Sequence, residues 1–250
     1  MNKQPVCLTI GGSDSGGGAG IQADLRVFES LNVLGCSAIT ALTAQNPQRI
    51  TRIEAVSLAQ LDAEMHAVFD YYDVAAVKTG MLLDAEHVAL VSALLSELHD
   101  GALIIDPVMI ASSGKTLLEA GAVDTMIKAL LPQATLITPN LDEAESLFGI
   151  SAGVQSKEEM QARKAMQAFA QHHDCAVLLK GGHGDTDQLL DLLCEANGEI
   201  SEFSHPRQDW TLQQRHGTGC RLASAVSAYL AYDLPLQQAV AKSIAYLQDQ

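Results

Sequence analysis

Residues Cys7-Leu8-Thr9-Ile10-Gly11-Gly12-Ser13-Asp14-Ser15-Gly16-Gly17-Gly18-Ala19-Gly20-Ile21-Gln22-Ala23-Asp24-Leu25-Arg26-Val27-Phe28 decide the fold class. The first four are apolar and partly β-branched, as a buried strand requires. A glycine-rich loop follows. Beyond it Ile21, Leu25, Phe28 and Leu31 recur at helical spacing. Strand, glycine loop and helix in that order form a ligand-binding crossover of an α/β sheet. No Lys-Ser or Lys-Thr follows the glycines, so the loop is not a Walker A phosphate loop.

The same alternation continues along the chain. Strand patterns fall at 6–10, 35–41, 52–56, 75–78, 102–106, 135–138 and 176–180. Helical patterns fall at 21–31, 61–72, 84–98, 121–131, 142–147, 157–172, 222–232 and 236–247. Residues 189–194 and 199–203 flank Asn197-Gly198, which supplies the positive φ angles of a tight β-hairpin. The pattern predicts a mostly parallel sheet with helices on both faces, in one domain spanning 1–250.

Composition narrows the function. The chain has 250 residues, 48% of them apolar, enough for one substantial core. Fifteen basic against thirty acidic residues give a net charge of −15. Such a surface repels phosphate backbones, so nucleic acid is not an expected partner, although a local site can still be positive. Five cysteines with no Cys-x-x-Cys pair fit free thiols in a reducing compartment. The N-terminus runs into the first strand with no signal-peptide pattern, and no 18-residue apolar run follows. A cytoplasmic protein with no membrane partner is expected.

The strand ends carry the chemistry. Open α/β sheets bind ligands at the carboxyl ends of their strands. Here those ends lead into Asp14, then Thr43, Gln45 and Asn46, then Thr79-Gly80-Met81, then Asp106-Pro107-Val108-Met109, then Thr138-Pro139-Asn140 with Glu143, then Lys180-Gly181-Gly182-His183. Polar or flexible groups at nearly every strand end imply a shared rim and a pocket. Near the C-terminus, His216-Gly217-Thr218-Gly219-Cys220 opens a helix of small and apolar residues. Unpaired N–H groups and the helix dipole make such a start an anion site. The same dipole is expected to lower the Cys220 thiol pKa.

Together these motifs resemble the hydroxymethylpyrimidine/phosphomethylpyrimidine kinases of thiamine biosynthesis, within the ribokinase-like superfamily. The resemblance covers about residues 6–245 in the family's order. It implies a ribokinase-like three-layer α/β/α sandwich with a mostly parallel central sheet. It implies transfer of the ATP γ-phosphoryl group to a hydroxymethylpyrimidine or its monophosphate, with Mg²⁺, in a cytoplasmic homodimer. By the same resemblance Gly217, Thr218 and Gly219 supply N–H groups for the developing charge, and Cys220 accepts the hydroxyl proton or orients the hydroxymethyl group. Lys180, Asn140 and Asp106 fall on the ATP side, and Glu143 acts on the metal through water. Gly12, Ala19, Gln45, Met81 and Val108 fall on the pyrimidine side.

Arg221 departs from the family's small hydroxyl residue, and its place at a helix start makes it a candidate contact for a phosphate. Pyridoxal kinase, which shares the fold, is the alternative activity. A non-catalytic ligand-binding relative is the rival of another class; intact Lys180, Asn140, Glu143 and the Gly-Thr-Gly-Cys loop argue against it.

Overall fold

The structure is a computed structural model; it describes residues 4–110, 114–149, 157–181 and 187–249. The chain runs β1 (Val6–Asp14), α1 (Gly20–Ser30), β2 (Leu34–Asn46), β3 (Arg49–Ala55), α2 (Leu58–Phe69), β4 (Val74–Thr79), α3 (Ala85–Leu98) and β5 (Ala102–Ile105). It continues with α4 (Ala120–Thr125), β6 (Leu136–Ile137), α5 (Leu141–Phe148), α6 (Lys157–His173), β7 (Ala176–Leu179), β8 (Gln188–Cys194) and β9 (Ile200–Pro206). A short α7 (Leu212–Arg215), α8 (Thr218–Leu230) and α9 (Leu236–Gln248) complete it.

Among the described residues the strands form one nine-stranded sheet in the order β3-β2-β1-β4-β5-β6-β7-β8-β9. The strands from β2 through β7 in that order pair in parallel; β3, β8 and β9 join antiparallel at the two edges. β1 lies between β2 and β4, so the chain leaves it in one direction and returns on its other side. That reversal opens a crevice at the carboxyl ends of β1 and β4.

Strand side chains alternate between two faces, and each face meets its own helices. Cys7, Ala76, Ile104, Leu136 and Leu178 pack with α1, α8 and α9 through Phe28, Leu222, Val226 and Val240. Leu8, Ile10, Val77, Leu103, Ile105, Ile137 and Val177 pack on the other face against Leu61, Met65, Val88, Val91 and Met166. The α8 helix approaches the sheet closely because Ala223, Ser224, Ala225, Ser227 and Ala228 are small and fully buried. The Ser227 hydroxyl is satisfied by the Ala223 carbonyl at 2.9 Å.

Element boundaries differ from the sequence reading at several places, three of which have a clear physical reason. β1 runs on to Asp14 because Ser13 and Asp14 keep parallel partners in Leu42 and Thr43, after a register shift between Gly11 and Ser13. α8 starts at Thr218, since glycines are tolerated in a first turn whose N–H groups need no partner within the helix. The helix expected over 121–131 is α4, then a π turn at Met126–Leu130 and a 3₁₀ turn at Leu131–Gln133. Pro132 withholds the N–H that a regular ending would use.

Ala228 tests the close packing of α8. Ala228→Leu forces extra methyl groups into a filled layer and is expected to destabilise the fold by about 1–3 kcal/mol. A fall in the midpoint of a urea unfolding curve at unchanged slope would show it.

Candidate active site

The first turn of α8 is set against the glycine loop after β1. Gly217, the residue before α8, has φ +81°, and a Cβ there would meet the Gly18 carbonyl oxygen at 2.1 Å. Only glycine fits both demands. Asp14 stitches the two segments together. Its Oδ2 accepts from the Ala19 N–H at 2.8 Å and hydrogen-bonds His216 Nε2 at 2.9 Å, while its Oδ1 accepts from the Gly16 N–H at 2.7 Å. The first intrahelical bond of α8 runs from the Arg221 N–H to the Gly217 carbonyl. The N–H groups of Thr218, Gly219 and Cys220 therefore come before the helix ladder and form an anion-facing turn.

Lys180, just past β7, lies against that turn. A Cβ on Gly219 would stand 3.2 Å from Lys180 Nζ. The ammonium is 3.1 Å from Asp106 Oδ1 and 3.9 Å from Glu143 Oε2. Thr138 Oγ1 donates to the same Asp106 oxygen at 3.2 Å. Asn140 caps α5 by accepting from the Glu143 N–H at 2.9 Å, and Glu143 Oε2 accepts from the Asn140 N–H at 2.8 Å. This reciprocal capping box places the Glu143 carboxylate at the site. Lys180, Asn140, Asp106 and Glu143 are thus one cluster. Gly182 and His183 lie outside the described residues.

Burial and neighbouring charge act in opposite directions on these groups. Burial pushes the Asp106 carboxyl up, but Lys180 and Lys78 outweigh it and hold it below the usual range. Glu143 is pushed up to about 7, by burial first and Asp106 in addition, against the pull of Lys180. Burial disfavours the Lys180 ammonium, yet Asp106 and Glu143 hold its pKa above the ordinary lysine value. Cys220 differs from the sequence expectation. Its thiol is pushed up to about 12, chiefly by burial and then by Asp106 and Asp24, although Lys78 and a Gly20 N–H bond pull it down. Desolvation and acidic neighbours outweigh the helix dipole.

Of the pyrimidine-side residues, Gly12, Met81 and Val108 come together where β1 and β4 end. A Cβ on Gly12 would touch Met81 Sδ at 3.0 Å. Met81 joins Ala41 and Leu117 in a small apolar cluster that Val108 packs against. The Thr40 hydroxyl fixes the Met81 carbonyl at 2.6 Å. Gln45 near the end of β2 is held through its backbone, whose N–H donates to Ser15 Oγ at 2.9 Å. Ala19 sits in the Asp14 cradle beside Gly217.

The chain as a whole is similar to known kinases. A family model described as phosphomethylpyrimidine kinase matches residues 14–250. A hydroxymethylpyrimidine/phosphomethylpyrimidine kinase of Rhizobium meliloti (strain 1021) is 43% identical over 97% of this chain and 88% of its own. The crystal structure of a phosphomethylpyrimidine kinase from Clostridium difficile 630 superposes with TM-score 0.83 at 34% identity, covering 98% of this chain and 99% of that one. The pyridoxal kinase from Staphylococcus aureus in complex with AMP-PCP and pyridoxal superposes with TM-score 0.85 at 29% identity, covering 99% and 87%. The chain belongs to the phosphomethylpyrimidine kinase family. It is a ribokinase-like phosphotransferase of thiamine biosynthesis.

Beside Lys180 and Gly219 the kinase has a cleft of about 120 Å³ lined by Leu189, His205, Gln208, Trp210 and Gln248, among others. The sequence reading missed these residues, because none carries a spacing signal. Asp191 lines the cleft too; it accepts from the Gly181 N–H at 2.8 Å and pairs with His205 at 3.1 Å. The reading also missed a buried network of Thr9, Asp24, Lys78 and Ser224 beneath Cys220. A lysine ending the apolar run Val74-Ala75-Ala76-Val77 was the available signal, since a buried lysine demands a partner. The Arg221 guanidinium donates to the Gln214 carbonyl near the end of α7. Three buried side-chain atoms among the described residues lack a hydrogen-bond partner, Thr79 Oγ1, His216 Nδ1 and Arg221 Nε. All three belong to residues at the β4 end or flanking the α8 turn. Among the described residues, no helix is long and apolar enough to cross a membrane.

Glu143 gives this site a pH signature. Its carboxyl keeps a proton in the fold up to about pH 7, whereas the ordinary value is 4.5. The unfolded chain therefore loses that proton first, and the fold loses stability as pH rises from 4.5 through 7. Glu143→Gln keeps the capping box but cannot ionise. In ligand-free protein, its melting temperature relative to the parent should rise steadily across that interval and level off above it.

Proposed function

We propose that Cys220 is the base for the hydroxymethyl group in the hydroxymethylpyrimidine/phosphomethylpyrimidine kinase reaction of this family. The observation that carries the reading is the meeting of Cys220, the free α8 turn and the Lys180 ammonium at one end of the sheet. Burial keeps most of the Cys220 thiol protonated, so the reacting form is its minor thiolate, to which the substrate hydroxyl gives its proton. The freed oxygen forms a bond to the γ-phosphorus, the bond to the β–γ bridging oxygen breaks, and ADP leaves. The monophosphate already carries an ionised oxygen, so the second transfer needs no such base. N–H groups from Gly217, Thr218 and Gly219 receive the charge that develops on the moving phosphoryl group. Lys180, oriented by Asp106, neutralises the ATP phosphates, and Asn140 holds the turn that faces them.

The donor set suits a magnesium ion held mostly by ATP and water. Glu143 and Asp106 flank Lys180, and the described residues contain no cluster of three or more ligands that would hold a metal unaided. Mg²⁺ keeps several waters and takes phosphate oxygens as ligands, so Glu143 would hold it through water. When bound, the ion supplies charge neutralisation on the phosphates.

The pyrimidine is read by Gly12, Ala19, Gln45, Met81 and Val108. The Gln45 amide offers one donor and one acceptor to an aminopyrimidine edge, and Met81 and Val108 supply the apolar walls. Pyridoxal is the competing substrate, favoured by the likeness to a pyridoxal kinase solved with pyridoxal. Turnover of hydroxymethylpyrimidine, its monophosphate and pyridoxal, compared side by side, separates the two readings. The reading carries one kinase domain acting as a cytoplasmic homodimer. In support, Leu42 on β2 is exposed and Ile50 and Ile53 on edge strand β3 are only partly covered. Light scattering would give a mass near 53 kDa, twice the 26.6 kDa of one chain.

Two substitutions test the assignments. Cys220→Ala should lower kcat for hydroxymethylpyrimidine by about 10²–10⁴, the usual share of a general base, while the KM for ATP stays within a few fold. Unchanged kcat would remove the base role. Gln45→Leu should raise the KM for the aminopyrimidine by roughly tenfold, because a ring polar group loses its partner at about 1–3 kcal/mol. An unaltered KM in a folded variant would show that Gln45 does not read the ring.

A further inference from the structure

Beneath Cys220 lies a set of polar groups that the reaction above does not use. Lys78, near the end of β4, and Asp24, in α1, are each about 1% exposed and pair at 2.9 Å. The same Asp24 oxygen accepts from Thr9 Oγ1 at 2.6 Å, and its other oxygen lies 2.7 Å from the Ser224 hydroxyl. That hydroxyl also stands 2.9 Å from the Cys220 carbonyl. Four elements, β1, α1, β4 and α8, thus meet at one carboxylate directly under the α8 turn. The Gly20 N–H at the start of α1 also favours the Cys220 anion. Gly20 and Asp24 are one helical turn apart, so the sulfur and the Asp24 carboxylate sit on neighbouring levels of α1.

A buried ion pair is a poor investment for stability, because desolvation consumes most of its attraction. Asp24 could be satisfied by Thr9 and Ser224 alone. The Lys78 ammonium has three donors, and Asp24 takes one. Its charge reaches further: a Cβ on Gly80 would lie 2.9 Å from Nζ, and the ammonium couples electrostatically to both Cys220 and Asp106. The charged groups facing Cys220 are Lys78 from β4, Asp24 from α1, Asp106 beyond β5 and Lys180 beyond β7. Lys180 is engaged by Asp106, and the reading above gives it the ATP phosphates. Lys78, about 1% exposed, is the cation that this reading leaves without a phosphate.

We propose that Lys78 is a positioning residue of the kinase: held by Asp24 under the α8 turn, its ammonium stabilises the Cys220 thiolate that accepts the substrate proton. The role rests on the reading of Cys220 as base. Asp24 orients Lys78 and, being negative, works against the thiolate when taken alone. The two partners therefore have opposite effects on the same sulfur, although they form one pair.

That opposition is the test. Alkylation of Cys220 by iodoacetamide in ligand-free enzyme, followed by peptide mass spectrometry from pH 7 to 9.5, reads the thiolate fraction without any turnover. Its rate scales with thiolate, so a shift of one pKa unit is about tenfold in rate at fixed pH. Lys78→Met is expected to slow alkylation about tenfold or more. Asp24→Asn, which preserves the Thr9 and Ser224 contacts, is expected to speed it severalfold. Lys78→Arg keeps the cation and is expected to stay nearer the parent than Lys78→Met. Loosened packing would instead expose the thiol and speed alkylation in every variant. If Lys78→Met alkylates as fast as the parent, or faster, the proposal is overturned. Should Lys78→Met fail to fold, the Asp24→Asn rate decides: faster with a parental circular dichroism spectrum supports the proposal, and unchanged or slower overturns it. Failure of the base reading shows separately, as unchanged turnover in Cys220→Ala.

Discussion

Two backbones must touch for this site to exist. Gly217 lies so close to Gly18 and Ala19 that no side chain fits between them, and the Asp14–His216 bond locks the contact. Everything around the contact is arranged to permit it. Helix α8 has to lie low on the sheet, so its inward face is alanine and serine. The chain has to turn with positive φ at Gly217 and at Gly20, where a Cβ would strike the Gly12 carbonyl at 2.3 Å. With those conditions met, the α8 turn, Lys180 and the β1–β4 crevice face a common space, although they come from opposite ends of the chain.

Charge around that space is balanced in short range against an adverse long-range field. The chain carries −15 overall, which repels a polyphosphate at a distance. Lys180 and Lys78 are both held charged inside it by carboxylates, Asp106 and Glu143 for the first and Asp24 for the second. Each carboxylate therefore serves as the tether of a cation and not as a free anion near the phosphates. Glu143 is the exception in degree, since burial leaves it near its midpoint at neutral pH. The price of this arrangement falls on Cys220, whose thiol is disfavoured as an anion by the same acids.

Much of the fold was legible because its signals are local. Apolar β-branched runs marked the strands, Asn197-Gly198 marked the β8–β9 hairpin, and the 3.6-residue period marked α1, α3 and α9. The rim residues Lys180, Asn140, Glu143 and Asp106 were legible as polar groups at strand ends, and the structure brings them into one cluster. What escaped depended on partners distant in sequence. Ser13 and Asp14 read as loop because glycines precede them, yet Leu42 and Thr43 supply the ladder that extends β1. The Cys220 thiol was expected to be acidic from its helix position alone; its buried neighbours Asp24 and Asp106 are invisible to that reasoning. Asp24 carries no signal of its own within α1, and nothing in its spacing points to Lys78.

The Asp14–His216 bond joins residues 202 positions apart, and Ser224 meets Asp24 across 200. Contacts of such separation close late, because the intervening chain must first give up its loop entropy. During synthesis β1, α1, β2, β3 and β4 emerge first and can pair among themselves, whereas α8 emerges only after β9. A nascent or truncated chain therefore carries a formed glycine loop with no anion turn above it. Completion of the site therefore waits on the docking of α8 over that loop.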